Sequence, residues 1–145
     1  MGAVAVVDSL PVTAGEALRL TKEFEAFAMQ QPQVELETVH VLHAGIYSRT
    51  VRIPASVVIT GALIKIPTVL TIFGNMRLTA GDKCIDVEEF ATFKCPAGRK
   101  QIMYAKSDCL VQMSFATNAK TVEEAEDEFT DEGDLLMSRK KGVKR

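Results

Sequence analysis

Turn-forming residues recur about every ten positions between residues 45 and 115, and this spacing constrains the possible fold more than any other feature of the chain. The turn signals are Pro54-Ala55, Thr60-Gly61, Phe73-Gly74-Asn75, Ala80-Gly81-Asp82, Pro96-Ala97-Gly98-Arg99 and Lys106-Ser107-Asp108. Many short strands at even spacing are typical of a sandwich or a barrel. The sequence therefore predicts eight or nine short strands in an antiparallel barrel built from two sheets.

The pattern of side chains within each run indicates where the strands lie. Residues 34–37 and 47–53 alternate between apolar and polar side chains, whereas 57–59 and 63–72 are nearly continuous apolar runs, as expected for strands buried on both faces. Pro67 interrupts the last run and predicts an edge, a bulge or a corner there. Further strands are predicted at 77–79, 83–87, 90–94, 101–105 and 109–115. The predicted core residues are Leu63, Ile64, Leu70 and Ile72.

The chain divides into residues 1–33, 34–116 and 117–145, which we expect to form one globular domain. In the first part, Thr13 and Glu16 have the spacing of a capping box and predict a helix over 14–30 that ends before Pro32. This helix carries one apolar stripe, made of Ala17, Leu20, Phe24, Phe27 and Ala28. The stripe packs against the barrel in one interpretation, and in the other it is a docking arm for a second subunit.

The last part is acidic first and then basic. Thr121 and Glu124 form a second capping box, which predicts a helix to about Phe129, and the acidic residues continue to Asp134. The basic side chains that follow are Arg139, Lys140, Lys141, Lys144 and Arg145. They are a solvated chain end or a contact to an acidic surface of a neighbouring protein. Nucleic acid is the less favoured partner, because no aromatic side chains for base stacking lie among them.

Composition and motifs argue against most enzyme classes. The chain has 145 residues and a net charge of −2, so it has no general attraction for nucleic acid. Residues 1–7 are apolar but lack a basic flank, so we expect neither a secretion signal nor a membrane span. Phosphate-binding loops, dinucleotide fingerprints, zinc-protease motifs and serine-hydrolase elbows are all missing from the sequence.

Histidine and cysteine are the remaining candidates for chemistry. His40 and His43 are three positions apart, so on a strand they point to opposite faces and cannot share a metal ion. Cys84, Cys95 and Cys109 are odd in number and form no C-x-x-C pair, and we expect them to be buried, reduced thiols. Basic residues near Cys95 could lower its pKa, but no histidine partner is nearby, so we interpret it as a structural thiol.

Over residues 43–116 the sequence resembles the cupin-like proteins encoded in tailed-bacteriophage genomes. The segments that carry the resemblance are Gly45-Ile46-Tyr47-Ser48-Arg49, Val51-Arg52-Ile53-Pro54-Ala55, Gly61, Gly74 and Pro96-Ala97-Gly98-Arg99. The resemblance implies an all-β fold with terminal helices, namely an antiparallel double-sheet jelly roll or cupin-like barrel. Cupins place metal-binding histidines after the glycine equivalent to Gly61 and after a P-x-G turn. Here those positions carry Ala62, Leu63, Ile64 and Gln101, which implies a barrel without metal or other cofactor.

The first functional hypothesis is therefore a structural protein rather than an enzyme. It would be a cement or decoration protein on the capsid surface of a phage virion, synthesised in the host cytoplasm. Its partners would be the major capsid protein or other virion subunits, with a homodimer or higher homo-oligomer and no membrane contact. The predicted interface residues are Phe24, Phe27, Arg139, Lys140, Lys141, Lys144 and Arg145. Two alternatives stay open: a small-molecule-binding protein that uses the apolar barrel interior, and a sugar isomerase or epimerase with His40 or His43 as its base.

Overall fold

Nine antiparallel strands form two sheets in the computed structural model, which describes residues 9–136 and Arg139. The strands are β1 (Glu37–His43), β2 (Ile46–Ile53), β3 (Val58–Thr60), β4 (Thr68–Phe73), β5 (Met76–Ala80), β6 (Lys83–Val87), β7 (Phe90–Cys95), β8 (Ile102–Ala105) and β9 (Cys109–Ala116). One sheet has the order β1-β2-β9-β4-β7 and the other has the order β3-β8-β5-β6. The predicted double-sheet jelly roll is confirmed.

Alternation along the strands directs one row of side chains from each sheet into a shared core. Strand β9 shows it most clearly, because Cys109, Val111, Met113 and Phe115 are buried while the residues between them are not. In the register of β2 and β9, Tyr47 lies opposite Phe115, and their ring centroids are 5.4 Å apart. These inward rows enclose one apolar core between the sheets.

The long apolar run over 63–72 is divided in the structure. Ile64 forms only an isolated bridge with Arg99, and β4 begins at Thr68, directly after Pro67. Pro67 has no backbone N–H to give to the sheet, so the chain turns a corner there. Ile64 and the inward residues of β4 are buried as predicted, but Leu63 is only half-buried. The first strand starts at Glu37 rather than at residue 34.

The first helix, α1 (Gly15–Ala28), is not capped as predicted. Thr13 Oγ1 donates to the carbonyl of Lys100 at 3.0 Å and accepts from the Lys100 amide at 3.0 Å, so it fastens the chain to the barrel instead. The apolar stripe is also partly wrong, because Leu20 and Phe27 are 51% and 59% exposed. The buried residue of this helix is instead Thr21.

The second helix, α2 (Val122–Phe129), begins as predicted. Thr121 Oγ1 accepts from the amide of Glu124 at 3.1 Å, and the Glu124 carboxylate accepts from the amide of Lys120 at 2.9 Å. A short 3-10 helix follows at Gly133–Leu135. In the described part of the chain, neither helix is long and apolar enough to cross a membrane.

Candidate functional site

A cavity of about 500 Å³ remains between the two sheets, and we call it the lumen cavity. Its apolar walls include Val51, Met113 and Leu70 from the five-stranded sheet and Ile59 and Met103 from the four-stranded sheet. The second half of α1, the chain that follows it and residues 132–136 form its rim. A volume of this size is typical of small-molecule sites, which occupy roughly 300–1,000 Å³.

Arg49 is one of the few charged residues in the wall, and its charge is compensated. Its guanidinium donates to Glu126 Oε2 at 3.0 Å and lies over the ring of Phe129, 5.8 Å from the centroid. The other oxygen of Glu126 accepts from Arg139 Nε at 2.9 Å. Glu126 is fully buried, so two arginines on one carboxylate satisfy it without water.

Arg99, at the end of the Pro96-Ala97-Gly98 turn, has a different environment. It is 3% exposed, and its Nη1 and Nη2 donate to Gln101 Oε1 and Thr68 Oγ1, each at 2.7 Å. Both partners are neutral, and Nε is buried without a hydrogen-bond partner among the described residues. Burial lowers the pKa of this guanidinium, and the nearby Cys95 offsets only part of that effect.

Cys95 does not become an activated thiol through these bases. Burial raises its pKa by more than Arg99 lowers it, which fits the interpretation as a structural thiol. All three cysteines are free, and Cys95 and Cys109 are buried as expected. The prediction is wrong for Cys84, which is exposed.

Lys100 is fully buried and ties the rim together. Its Nζ lies 2.9 Å from Glu25 of α1, 3.1 Å from Glu132 and 2.9 Å from the carbonyl oxygen of Gly61. Burial alone would raise the pKa of Glu132, but hydrogen bonds from the Leu63 amide and from Lys100 outweigh it and hold that pKa below its ordinary value. One ammonium group thus joins the first helix, the chain after β3 and the C-terminal segment.

The side chains of the lumen do not supply the ligand atoms of the metal centre that the cupin resemblance implies. Ile64 has no donor atom, and the amide oxygen of Gln101 already accepts from the positively charged Arg99. That guanidinium would repel a metal cation at the same oxygen. Within residues 9–136 and Arg139, no three histidine, cysteine, aspartate or glutamate side chains come together as ligands.

Neither histidine lines the lumen cavity. His40 Nδ1 is hydrogen-bonded to the hydroxyl of Tyr47 at 2.7 Å, and His43 is exposed at the end of β1. The general base required by the isomerase hypothesis is therefore not supplied to the lumen by either of them.

The predicted interface residues lie in three settings. Phe24 is half-buried, Phe27 is exposed, and both belong to the rim of the lumen cavity. Arg139 makes intramolecular ion pairs, with Glu126 and with Asp127, both at 2.9 Å. Their role in contacting another subunit stays a prediction. The remaining predicted residues lie outside the described part of the chain, namely Lys140, Lys141, Lys144 and Arg145.

Sequence reasoning missed the two arginines of the lumen and their partners. Glu126 carried a usable signal, because it shares one helical face with Val122 and Phe129, and a charge within an apolar stripe indicates a buried ion pair. Arg99 carried no such signal. Its burial depends on the pairing of its backbone with Ile64, which is remote in sequence.

Comparison with known proteins supports the fold at low sequence identity. A salicylate 1,2-dioxygenase from Pseudaminobacter salicylatoxidans is 15% identical over 76% of this chain and 34% of its own, with a TM-score of 0.52. KdgF from Halomonas is 14% identical over 62% of this chain and 87% of its own, with a TM-score of 0.50. A cupin superfamily protein from Desulfitobacterium hafniense is 14% identical over 79% of this chain and 100% of its own, with a TM-score of 0.49. No protein-family model and no curated protein matches the chain.

These similarities correct the prediction about enzymatic activity and limit the predicted resemblance to the fold. The inference that a barrel of this kind is not an enzyme is wrong, because the solved structures that share its fold include enzymes, the salicylate 1,2-dioxygenase and KdgF. The likeness to a cupin-type fold is supported, whereas none of these structures points to a bacteriophage origin or to a capsid.

Proposed function

We propose that the protein binds a small organic molecule in the lumen cavity. The observation that carries the proposal is the cavity itself, about 500 Å³ of space walled by apolar side chains with a few fixed polar groups. Binding sites for small molecules combine the same features, since apolar walls provide affinity and a few polar groups fix orientation. The capsid-surface location, the virion partners and self-association remain predictions from the sequence.

The exposure of the wall residues supports an occupant of this cavity. Val51 points inward from β2 between the buried residues Arg49 and Ile53, yet it is only half-buried. Ile59 on β3 and Val57 before it are also half-buried and line the same space. Removing apolar surface from water gives roughly 25 cal/mol per Å², so a ligand that covers these side chains would bind favourably.

Methyl NMR tests the proposal directly, because the methionines report on different parts of the barrel. Met103 and Met113 line the lumen cavity, whereas Met76 is fully buried and does not. In protein labelled with ¹³C at the methionine methyl groups, we expect members of a small-molecule library to shift Met103 and Met113 and to leave Met76 in place.

A pair of valine variants supplies the control. Val51→Phe fills the cavity from the inner face of the sheet, whereas Val69→Phe places the same ring on the outer face of β4, where Val69 is 50% exposed. We expect the first variant to abolish the shifts and the second to preserve them. Equal shifts in both variants, or no compound that moves either lumen methionine, would contradict lumen binding.

A further inference from the structure

We infer that the molecule held in the lumen is a carboxylate with an apolar body, and that Arg99 binds its carboxyl group. This inference rests on the proposed function, because it identifies the chemical class of the lumen ligand. It is carried by two observations on the buried Arg99 guanidinium: no carboxylate among the described residues pairs with it, and its Nε has no hydrogen-bond partner there.

Each of the other buried charges near the lumen has an opposite partner among the described residues. Glu126 is held by Arg49 and Arg139, and Lys100 is held by Glu25 and Glu132. Arg99 is just as inaccessible, but no described carboxylate lies within ion-pair distance of it. A buried charge without a counter-charge is strongly disfavoured, so an anion entering beside Arg99 would gain an interaction that the described residues do not provide.

The geometry around Arg99 favours a carboxylate over other anions. A guanidinium has five N–H donors, and among the described residues Arg99 Nη1 and Nη2 each donate one hydrogen bond, to Gln101 and Thr68, while Nε has no hydrogen-bond partner. Those two contacts fix the plane of the group and leave donors for the paired oxygens of a carboxylate. A carboxylate also brings a single negative charge, which matches the one positive charge of Arg99. A phosphate dianion would leave excess negative charge in an apolar cavity.

The rest of the ligand is defined by the walls beside Arg99. Leu70, Met103 and Met113 line the cavity together with Arg99, and all three are apolar. Methionine adapts its shape to flat and irregular apolar groups. A ring or branched chain attached to the carboxyl group would therefore cover apolar surface while the carboxyl group reaches the guanidinium.

Calorimetric titration with two probes of one shape tests the inference. The probes are 2-naphthoate and its neutral analogue 2-naphthamide, with inorganic phosphate as a third. For the unmodified protein we expect 2-naphthoate to bind about 10- to 100-fold more tightly than 2-naphthamide, the ratio that a hydrogen-bonded charge pair provides. Phosphate should bind more weakly than either naphthalene compound.

Matched arginine variants assign the effect to Arg99. Arg99→Gln keeps hydrogen-bonding capacity toward Gln101 and Thr68 but removes the charge, so the affinity for 2-naphthoate should fall to that of 2-naphthamide. Arg77→Gln is the control, because Arg77 is an exposed arginine paired with Asp86 and does not line the lumen cavity. It should leave both affinities unchanged.

The outcomes separate this inference from the proposed function. If both naphthalene compounds shift Met103 and Met113 but bind equally, or if Arg99→Gln preserves the preference, then the carboxylate assignment is overturned while lumen binding stands. If neither compound shifts these methionines, the carboxylate assignment fails, and the library experiment alone then decides lumen binding. Should Arg99→Gln not fold, the preference of the unmodified protein for naphthoate over naphthamide and over phosphate still decides whether the lumen ligand is a carboxylate.

Discussion

Lys100 illustrates how a single charged side chain can be structural in the interior of this barrel. A lysine without solvent contact is costly unless its charge is paired and its donors are used. Here two carboxylates and one carbonyl oxygen surround the ammonium group, and they belong to three separate parts of the chain. The side chain therefore fixes the rim of the lumen cavity.

Replacing this lysine tests its structural role. We expect Lys100→Met to lower the free energy of unfolding by about 3 kcal/mol, because it leaves Glu25 and Glu132 without their counter-charge. Lys106→Met is the matched control, since Lys106 pairs with Asp86 at the surface, where an ion pair contributes about 0–1 kcal/mol. Urea unfolding measures both. A loss for Lys100→Met no larger than that of the control would contradict the structural role.

The same cluster predicts how stability responds to acid. The pKa of Glu132 is lower in the folded protein than its ordinary value of 4.5, so its ionised form stabilises the fold above that pH. This contribution is lost as the pH falls from about 4.5 through the folded-state pKa. The free energies of unfolding of the unmodified protein and of Glu132→Gln should therefore differ near neutral pH and converge in acid. A stability difference that stays constant with pH would show that Glu132 does not titrate in this way.

Among the elements, strand β4 joins the edge strand β7 to the rest of the five-stranded sheet. It pairs with β9 on one side and with β7 on the other, and its residues alternate between the core and the outer face. Ile72 is fully buried and is not part of the lumen wall, so its side chain contributes through packing alone.

Truncation within β4 tests its assignment as an interior strand with one face toward the core. We expect Ile72→Ala to lower the free energy of unfolding by about 2–5 kcal/mol, the range for large-to-small changes in a packed core. Val69→Ala, on the outer face of the same strand, should cost much less, because Val69 is 50% exposed. Similar losses for the two variants would mean that β4 does not face the core as described.

The two helices show which local sequence patterns predicted the structure correctly. Both begin with a Thr-x-x-Glu pattern, but only Thr121 caps its own helix. Thr13 is bonded to the backbone of Lys100, a contact remote in sequence that a local pattern cannot contain. The strands were predictable because turns and alternation are local features. The charged lumen was predictable only in part: the position of Glu126 in an apolar helical stripe indicates a buried ion pair, but its partner Arg49 lies in another element. Arg99 gave no such indication, because its burial follows from the pairing of its backbone with Ile64.

For the molecule as a whole, the sheets, α1 and the C-terminal segment surround one open space instead of filling it. The apolar wall, Arg49, the two carboxylates that pair with Lys100 (Glu25 and Glu132), and Arg99 all border that space, and Arg99 has no carboxylate partner among the described residues. A barrel that needed only to be stable would be expected to fill such a volume, because side chains around a cavity lose packing contacts. The retained volume is therefore best explained by a ligand.

A crystal structure of the protein grown with 2-naphthoate tests this explanation most directly. We predict density for the naphthalene ring between Met103 and Met113, with the carboxylate oxygens about 2.7–2.9 Å from the Arg99 guanidinium, the usual length of a charge-assisted hydrogen bond. A lumen closed by its own side chains, or naphthoate bound only outside the barrel at a concentration that saturates the protein, would contradict it.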